Sequence, residues 1–226
     1  MTYPRSTSSP RNVFLVVEAS SDAGSMAVIR GGDILASAQI AMGRGRDDLL
    51  TPAVAPLLAQ SGIGIRELCG IVCGEGPGSF TSLRIAAAFA KGLAFGLNVP
   101  LFGVPSLALV SGSDDRPLAS GLYCVSTDAL RDECYAQWIG VTSDHTIAIA
   151  GSVVRVLTRE LERFAEGREL VRVDASVDTH PRATMLPWLR DWRVNGAVNL
   201  DAWEPAYGRL AEAQVKWEAT HGRALG

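Results

Sequence analysis

Leu68-Cys69-Gly70-Ile71-Val72-Cys73, followed by Gly74-Glu75-Gly76-Pro77-Gly78-Ser79-Phe80-Thr81-Ser82-Leu83-Arg84, is the stretch that decides how this chain folds. The first six residues form a short apolar run, which reads as a buried strand. Three glycines and a proline then permit a tight turn, and an apolar helix of about Thr81 to Gly96 follows. Strand, glycine-rich turn and helix in succession are the unit of an α/β sheet. A loop that feeds a helix N-terminus can hold an anion on its backbone amides, and Ser79 or Thr81 is placed to cap the helix. The spacing matches neither a Walker loop, which ends in Gly-Lys-Ser/Thr, nor Gly-x-Gly-x-x-Gly. On chemistry alone, a connection that needs glycine is the first reading, and an anion-binding turn is the alternative.

Working outward, the helix is rich in small residues: Ala86, Ala87, Ala88, Ala90, Gly92, Ala94 and Gly96, punctuated by Phe89, Leu93 and Phe95. A helix apolar on more than one face can pack inward on one side and meet a partner on the other. Upstream, Val13–Val17, Ser25–Arg30 and Ile34–Met42 read as three strands of an antiparallel meander, with Gly31-Gly32-Asp33 as a hairpin turn. A helix is expected from about Asp47 to Gln60, because Leu49, Leu50, Ala53, Val54, Leu57 and Leu58 recur at helical spacing. Asp47 and Asp48 suit the positive end of its dipole, and Pro56 is expected to kink it. Val99–Val104 completes the order β-β-β-α-β-α-β, a lobe with a mixed sheet.

Ser111 to Pro117 is polar and turn-rich, and marks a boundary. The organisation expected is a loose tail over 1–12, an N-terminal α/β lobe over 13–110 and a C-terminal lobe over 111–226. Strands are expected at Gly121–Ser126, Glu133–Val141 and His145–Ala150, and helices or turns at Thr158–Gly167 and Ala183–Leu189. A final amphipathic helix is expected over about 208–220.

Composition narrows the function classes. Of 226 residues, 47% are hydrophobic and 20% charged, as in packed globular chains. A net charge of −3 argues against broad capture of nucleic acid on a basic face. The first residues lack the apolar core of a signal peptide. Leu83–Leu97, interrupted by Arg84 and Lys91, reads as too short and too charged for a bilayer span. Cys69, Cys73, Cys124 and Cys134 have apolar neighbours and read as small core residues in a reducing compartment. A lone Cys-x3-Cys pair does not make a zinc site. No Gly-x-Ser-x-Gly elbow or His-Glu-x-x-His pair occurs, and His145, His180 and His221 lack a local carboxylate pattern.

Gly76-Pro77-Gly78-Ser79-Phe80-Thr81-Ser82-Leu83-Arg84-Ile85, followed by Ala90-Lys91-Gly92-Leu93-Ala94, resembles the signature of the TsaB (YeaZ) family. The resemblance covers nearly the whole chain. Val16–Ser20 stands where the family has a strand ending in Leu-Asp-Thr-Ser/Ala. Val104-Pro105-Ser106-Leu107 matches its Val-Ser-Thr/Ser-Leu, and Asp128–Tyr135 its Asp-Ala-Arg-x-Gly-Glu-Val-Tyr. Glu204–Arg209 matches its late Pro-x-Tyr-x-Arg.

The resemblance implies the two-lobed fold of actin-like ATPases and sugar kinases, with ribonuclease H-like lobes. It implies a cytoplasmic, non-catalytic accessory subunit that acts as scaffold and activator of the transferase TsaD, joined by the ATPase TsaE. The product is threonylcarbamoyladenosine in tRNAs reading codons that begin with A. It implies no cofactor of its own, ATP and magnesium entering only within the complex, tRNA met only indirectly, no membrane, and a homodimer through the surface that meets TsaD. The motif loop is Gly76, Pro77, Gly78, Ser79, Phe80, Thr81, Leu83 and Arg84. Candidate interface residues are Leu50, Val54, Leu57, Leu58, Ala86, Phe89, Ala90 and Leu93. Glu18 and Ser20 are the candidates nearest a nucleotide. Four departures stand out: Glu18 for the usual Asp, Ser82 for Gly, Gly45-Arg46 for His-Ser, and Leu130 in an arginine slot. They weaken one alternative, an autonomous ATPase or kinase using Glu18 and the glycine-rich loop; the other, a glycoprotease-like protein, is weakened by the lack of a metal or nucleophile constellation.

Overall fold

The computed structural model describes residues 12–42, 49–112, 116–173, 179–207 and 220. Within them lie two five-stranded sheets. The first contains β1 (Val13–Glu18), β2 (Ala23–Arg30), β3 (Asp33–Ala41), β4 (Gly70–Gly74) and β5 (Leu101–Val104), in the order β3-β2-β1-β4-β5. β1, β2 and β3 pair antiparallel, while β1, β4 and β5 pair parallel. This is the mixed sheet that the order of elements led one to expect. Between its strands run α1 (Leu50–Ser61) and α2 (Phe80–Leu97).

The period of two in the strands divides their side chains between two cores. Val13, Leu15 and Val17 of β1, Met26 and Val28 of β2, and Ile71 and Cys73 of β4 pack under the two helices. Phe14, Val16, Ala27, Ile29 and Val72 point the other way, into a core shared with the second sheet. β1 is therefore buried on both faces, which explains its unbroken apolar run.

The second sheet contains β6 (Gly121–Asp128), β7 (Glu133–Val141), β8 (Ile147–Ile149), β9 (Val154–Leu157) and β10 (Glu169–Val173). Its order is β10-β6-β7-β8, with β9 also pairing to β7. Tyr123, Val125, Tyr135 and Ile139 face the shared core, closed by 3-10 turns at Ser106–Leu109 and Ala183–Trp188. Cys124, Cys134 and Ala136 face outward onto α3 (Leu161–Ala165).

The strands and helices of the first lobe fall within a few residues of their expected places. Further on, two readings change. β9 and β10 are strands where none was expected. Thr158–Gly167, expected as helix or turn, is a 3-10 turn followed by the five-residue α3. α2, at 18 residues, is long and apolar enough to cross a membrane by length and composition. Yet Ser82, Leu83, Ala86, Ala87, Ala90 and Ala94 are buried beneath it, as in a core helix. Residues 1–11, Gly45 to Asp48, the Asp114-Asp115 pair, His221 and most of the expected 208–220 helix lie outside the described residues.

Candidate functional site

The glycine-rich turn is filled by the chain itself. Glu18, at the end of β1, is 1% exposed. Its Oε1 accepts the Ser20 N–H at 2.6 Å. Its Oε2 is wedged against Gly74 beside the Ser106 hydroxyl, without a hydrogen bond of normal geometry. A Cβ at residue 74 would overlap that oxygen, and one at residue 78 would overlap Ser20 O. Ser79 N–H donates to Ser20 O at 2.7 Å. Ser106 clasps the turn twice, its hydroxyl accepting the Gly76 N–H and its N–H donating to Gly76 O, both at 3.0 Å. The glycines thus serve close approach between β1 and the turn. Ser79 is the N-cap of α2 but its side chain makes no capping bond; its hydroxyl receives one from Ser82 at 3.1 Å.

Burial sets the electrostatics here. Desolvation raises the pKa of Glu18, opposed by the Ser20 and Ser106 hydroxyls and the Ser20 and Ala19 amides. Burial also raises Glu75, opposed by the Trp203 indole. Burial first, then the nearby Glu18 and Glu75 carboxyls, push the Cys73 thiol up. The four cysteines are free, and burial pushes Cys124 up to about 11, so thiolate chemistry is disfavoured there.

Between the lobes opens a cleft of about 600 Å³. Ser20, Ser21, Asp22 and Ser79 line one side; Ser126, Thr127, Asp128, Leu130, Thr158, Arg172 and His180 line the other. Ser20 faces this cleft and Glu18 does not. His180 is a cleft residue that sequence spacing did not single out, because its neighbourhood forms only through the bridge between Val110 and Pro181. Leu130, Arg131 and Asp132 at the cleft mouth adopt left-handed φ of 62°, 56° and 60°. The family motif has glycine at the position of Asp132. No group of three or more His, Cys, Asp or Glu residues capable of holding a metal occurs among the described residues.

The candidate interface residues lie mostly inward. Leu50, Val54, Leu57, Leu58, Ala86 and Ala90 are buried in the core under the helices, and Phe89 and Leu93 pack partly against it. The outward face carries other residues. Phe95 is 81% exposed and Leu49 38%. Ala88, Gly92 and Gly96 are exposed beside Phe95, and no atom lies within 4 Å of a Cβ built at either glycine. Of the motif loop, Gly76, Pro77 and Leu83 are buried while Thr81 and Arg84 face solvent, with Arg84 over the Phe80 ring at 5.4 Å.

A two-sheet α/β chain with a signature turn of this kind has counterparts. A family model described as "TsaD: tRNA N6-adenosine threonylcarbamoyltransferase" matches residues 43–180. The "tRNA threonylcarbamoyladenosine biosynthesis protein TsaB" of Haemophilus influenzae is 32% identical over 121 residues, 54% of this chain and 51% of that one. The chain's match thus spans about half the length of that relative. The protein of the same name from Bacillus subtilis is 24% identical over 227 residues, 90% of this chain and 96% of its own. A crystal structure from Pseudomonas aeruginosa, described as an uncharacterized protein with similarity to peptidase YeaZ, superposes with a TM-score of 0.72. It is 25% identical and covers 88% of this chain and 100% of its own. This chain belongs to the TsaD family, on its TsaB (YeaZ) branch.

Proposed function

We propose that this chain is a non-catalytic scaffold in threonylcarbamoyladenosine formation, docking on a TsaD-like transferase through the outward face of α1 and α2. The observation that carries the reading is the open, small-residue face of α2 beside an 81% exposed Phe95. Small residues let a partner helix approach closely, and burying the phenyl ring contributes about 25 cal/mol per Å² before association costs. The relatives' names support the pathway. A TsaE-like ATPase joins the complex, tRNA is met through the transferase, and the setting is cytoplasmic. The same face serves a homodimer when the transferase is absent.

The enclosure of Glu18 counts against an autonomous ATPase. A carboxylate for magnesium must face the nucleotide, and Glu18 is wedged behind Gly74 instead. Catalysis then belongs to the partner, and this chain acts by favouring its competent state. ATP and magnesium enter with that partner.

Light scattering on a gel-filtration column tests the reading. Wild type mixed with the transferase from the same source gives a 1:1 complex that replaces any homodimer. Phe95→Asp abolishes the complex while the free chain keeps its melting temperature. A complex that survives Phe95→Asp unchanged removes α2 as the docking face.

A further inference from the structure

Residues 198–207 return from the second sheet across the first lobe and are tied down at successive points. Val198 N–H donates to Leu101 O at 2.8 Å, on the outer strand β5. Lys91 Nζ, from the middle of α2, donates to Trp203 O at 2.7 Å. Ala206 N–H donates to Glu75 O at 2.7 Å, inside the glycine-rich turn. Tyr207 packs on Phe80 with ring centres 4.8 Å apart, at the first turn of α2. The Trp203 indole meets the Glu75 carboxyl in space that a side chain at Gly103 would occupy. Ala206 O lies 2.9 Å from where a Cβ on Gly76 would stand. The Gly76–Ile85 motif and the described part of the later motif, Glu204–Tyr207, far apart in sequence, therefore meet in one place.

The segment has no helix or strand of its own between Val198 and Tyr207. These ties, together with Val198, Leu200 and Trp203 packed partly against the core under the helices, hold it without any strand ladder of its own, and an element held this way opens locally more readily than the sheet beneath it. Its strongest tie is charge-assisted, an ammonium donating to a carbonyl in a half-buried site. Lys91 is one of two lysines in the chain, the other being Lys216, and neither the cleft nor the outward face of α2 accounts for it. The ties reach both sides of the lobe. Glu75 and Gly76 lead into Ser79, which lines the cleft, while Phe80 and Lys91 belong to α2.

We infer that residues 198–207 form a strap that holds the glycine-rich turn and the first turn of α2 in one shape, and that Lys91 is its latch. Lys91 is a positioning residue: it acts on the outward face of α2 through the strap. Its effect on a partner rests on the docking proposed above; the latch itself does not.

Amide hydrogen exchange on the full chain tests the latch. In Lys91→Met, exchange at the Ala206 and Val198 amides rises by at least about tenfold while β1 and β4 amides keep wild-type rates. Lys91→Arg, which can still donate to Trp203 O, restores slow exchange. Unchanged exchange at Ala206 and Val198 in Lys91→Met overturns the inference, and so does an equal rise throughout β1 and β4, the sign of lost global stability alone. Should Lys91→Met not fold, Tyr207→Ala releases the other end of the strap and must give the same local rise. A second arm measures transferase binding. Lys91→Met weakens it about threefold or more, while Phe95→Asp abolishes it and leaves Ala206 exchange at the wild-type rate. If Phe95→Asp leaves binding intact, the docking proposal falls and the latch, read by exchange, stands.

Discussion

Glu18 shows how one side chain converts a familiar position into a different physical object. It stands at the end of β1, where the family usually has aspartate, and its extra methylene carries the carboxyl into the space that Gly74 leaves free. The groups that stabilise its charge are hydroxyls and amides, and they do not offset burial, so its pKa is raised. The sign of the pH dependence follows. The unfolded chain ionises near the ordinary value of 4.5, whereas the folded chain keeps its proton to higher pH. Stability is therefore full below that ordinary value and is lost as pH rises through the raised one. Glu18→Gln keeps the shape and removes the titration. Urea midpoints across pH 4 to 8 are expected to fall less steeply in Glu18→Gln than in wild type. The residual slope includes Glu75, which is raised in the same direction. Equal slopes in the two proteins would mean that Glu18 is already ionised in the fold.

At the scale of elements, α2 carries both the fold and the proposed partner face. Its inward stripe of alanines lets it lie close on β4, and its outward stripe leaves Gly92 and Gly96 uncovered. Glycine inside a helix loses more backbone entropy on folding than alanine does. Neither position has a left-handed backbone, and a Cβ at either meets nothing within 4 Å. Gly92→Ala and Gly96→Ala are thus expected to raise stability by about 0.5–1 kcal/mol each, measured by urea unfolding. They are also expected to weaken transferase binding, because the added methyl groups hold a partner helix off. Stabilisation with undiminished binding would place the contact elsewhere on α1 and α2. The same helix shows what the sequence made legible. The glycine-rich turn announced α2. Helical periodicity located α1 well, since it records the face packed on the sheet. For that reason it picked out Leu50, Val54, Leu57 and Leu58, which are core residues. The outward face has no periodic signature; Phe95 becomes distinctive only once its exposure is known. β9 and β10 were illegible for a related reason. Arg155 and Arg172 interrupt short strands that are half-exposed at the margin of the second sheet, so neither shows the continuous apolar run that announced β1 and β4.

For the whole molecule, the decisive feature is that the two sheets share a core. Phe14 and Val72 come from one sheet, Val125 and Ile139 from the other, and Leu107 and Leu186 lie in the turns between them. The Ser25 hydroxyl accepts the Ala183 N–H at 2.9 Å, joining β2 to the second half of the chain inside this layer. Two lobes that each kept a private core would unfold separately. Lobes that expose each other's core on parting unfold together. Leu107, 1% exposed at the centre of the shared layer, is the residue to ask. Leu107→Ala removes buried methyl groups and leaves a cavity, at a cost of about 2–5 kcal/mol. The two outer cores offer independent reporters: Cys124 lies buried under α3 outside the second sheet, and Cys73 lies under α1 and α2 against the first. Unfolding followed by labelling of the Cys124 and Cys73 thiols, each read on its own peptide, is expected to give one coincident transition, which Leu107→Ala moves by the same amount for both probes. Separate transitions, with the mutation shifting only one, would show that the cleft divides two independently stable lobes. In a coincident unit, a contact made on α2 can reach the cleft through β1 and β4, whose side chains enter both the core under the helices and the shared core, and that is the route the proposed scaffold role requires.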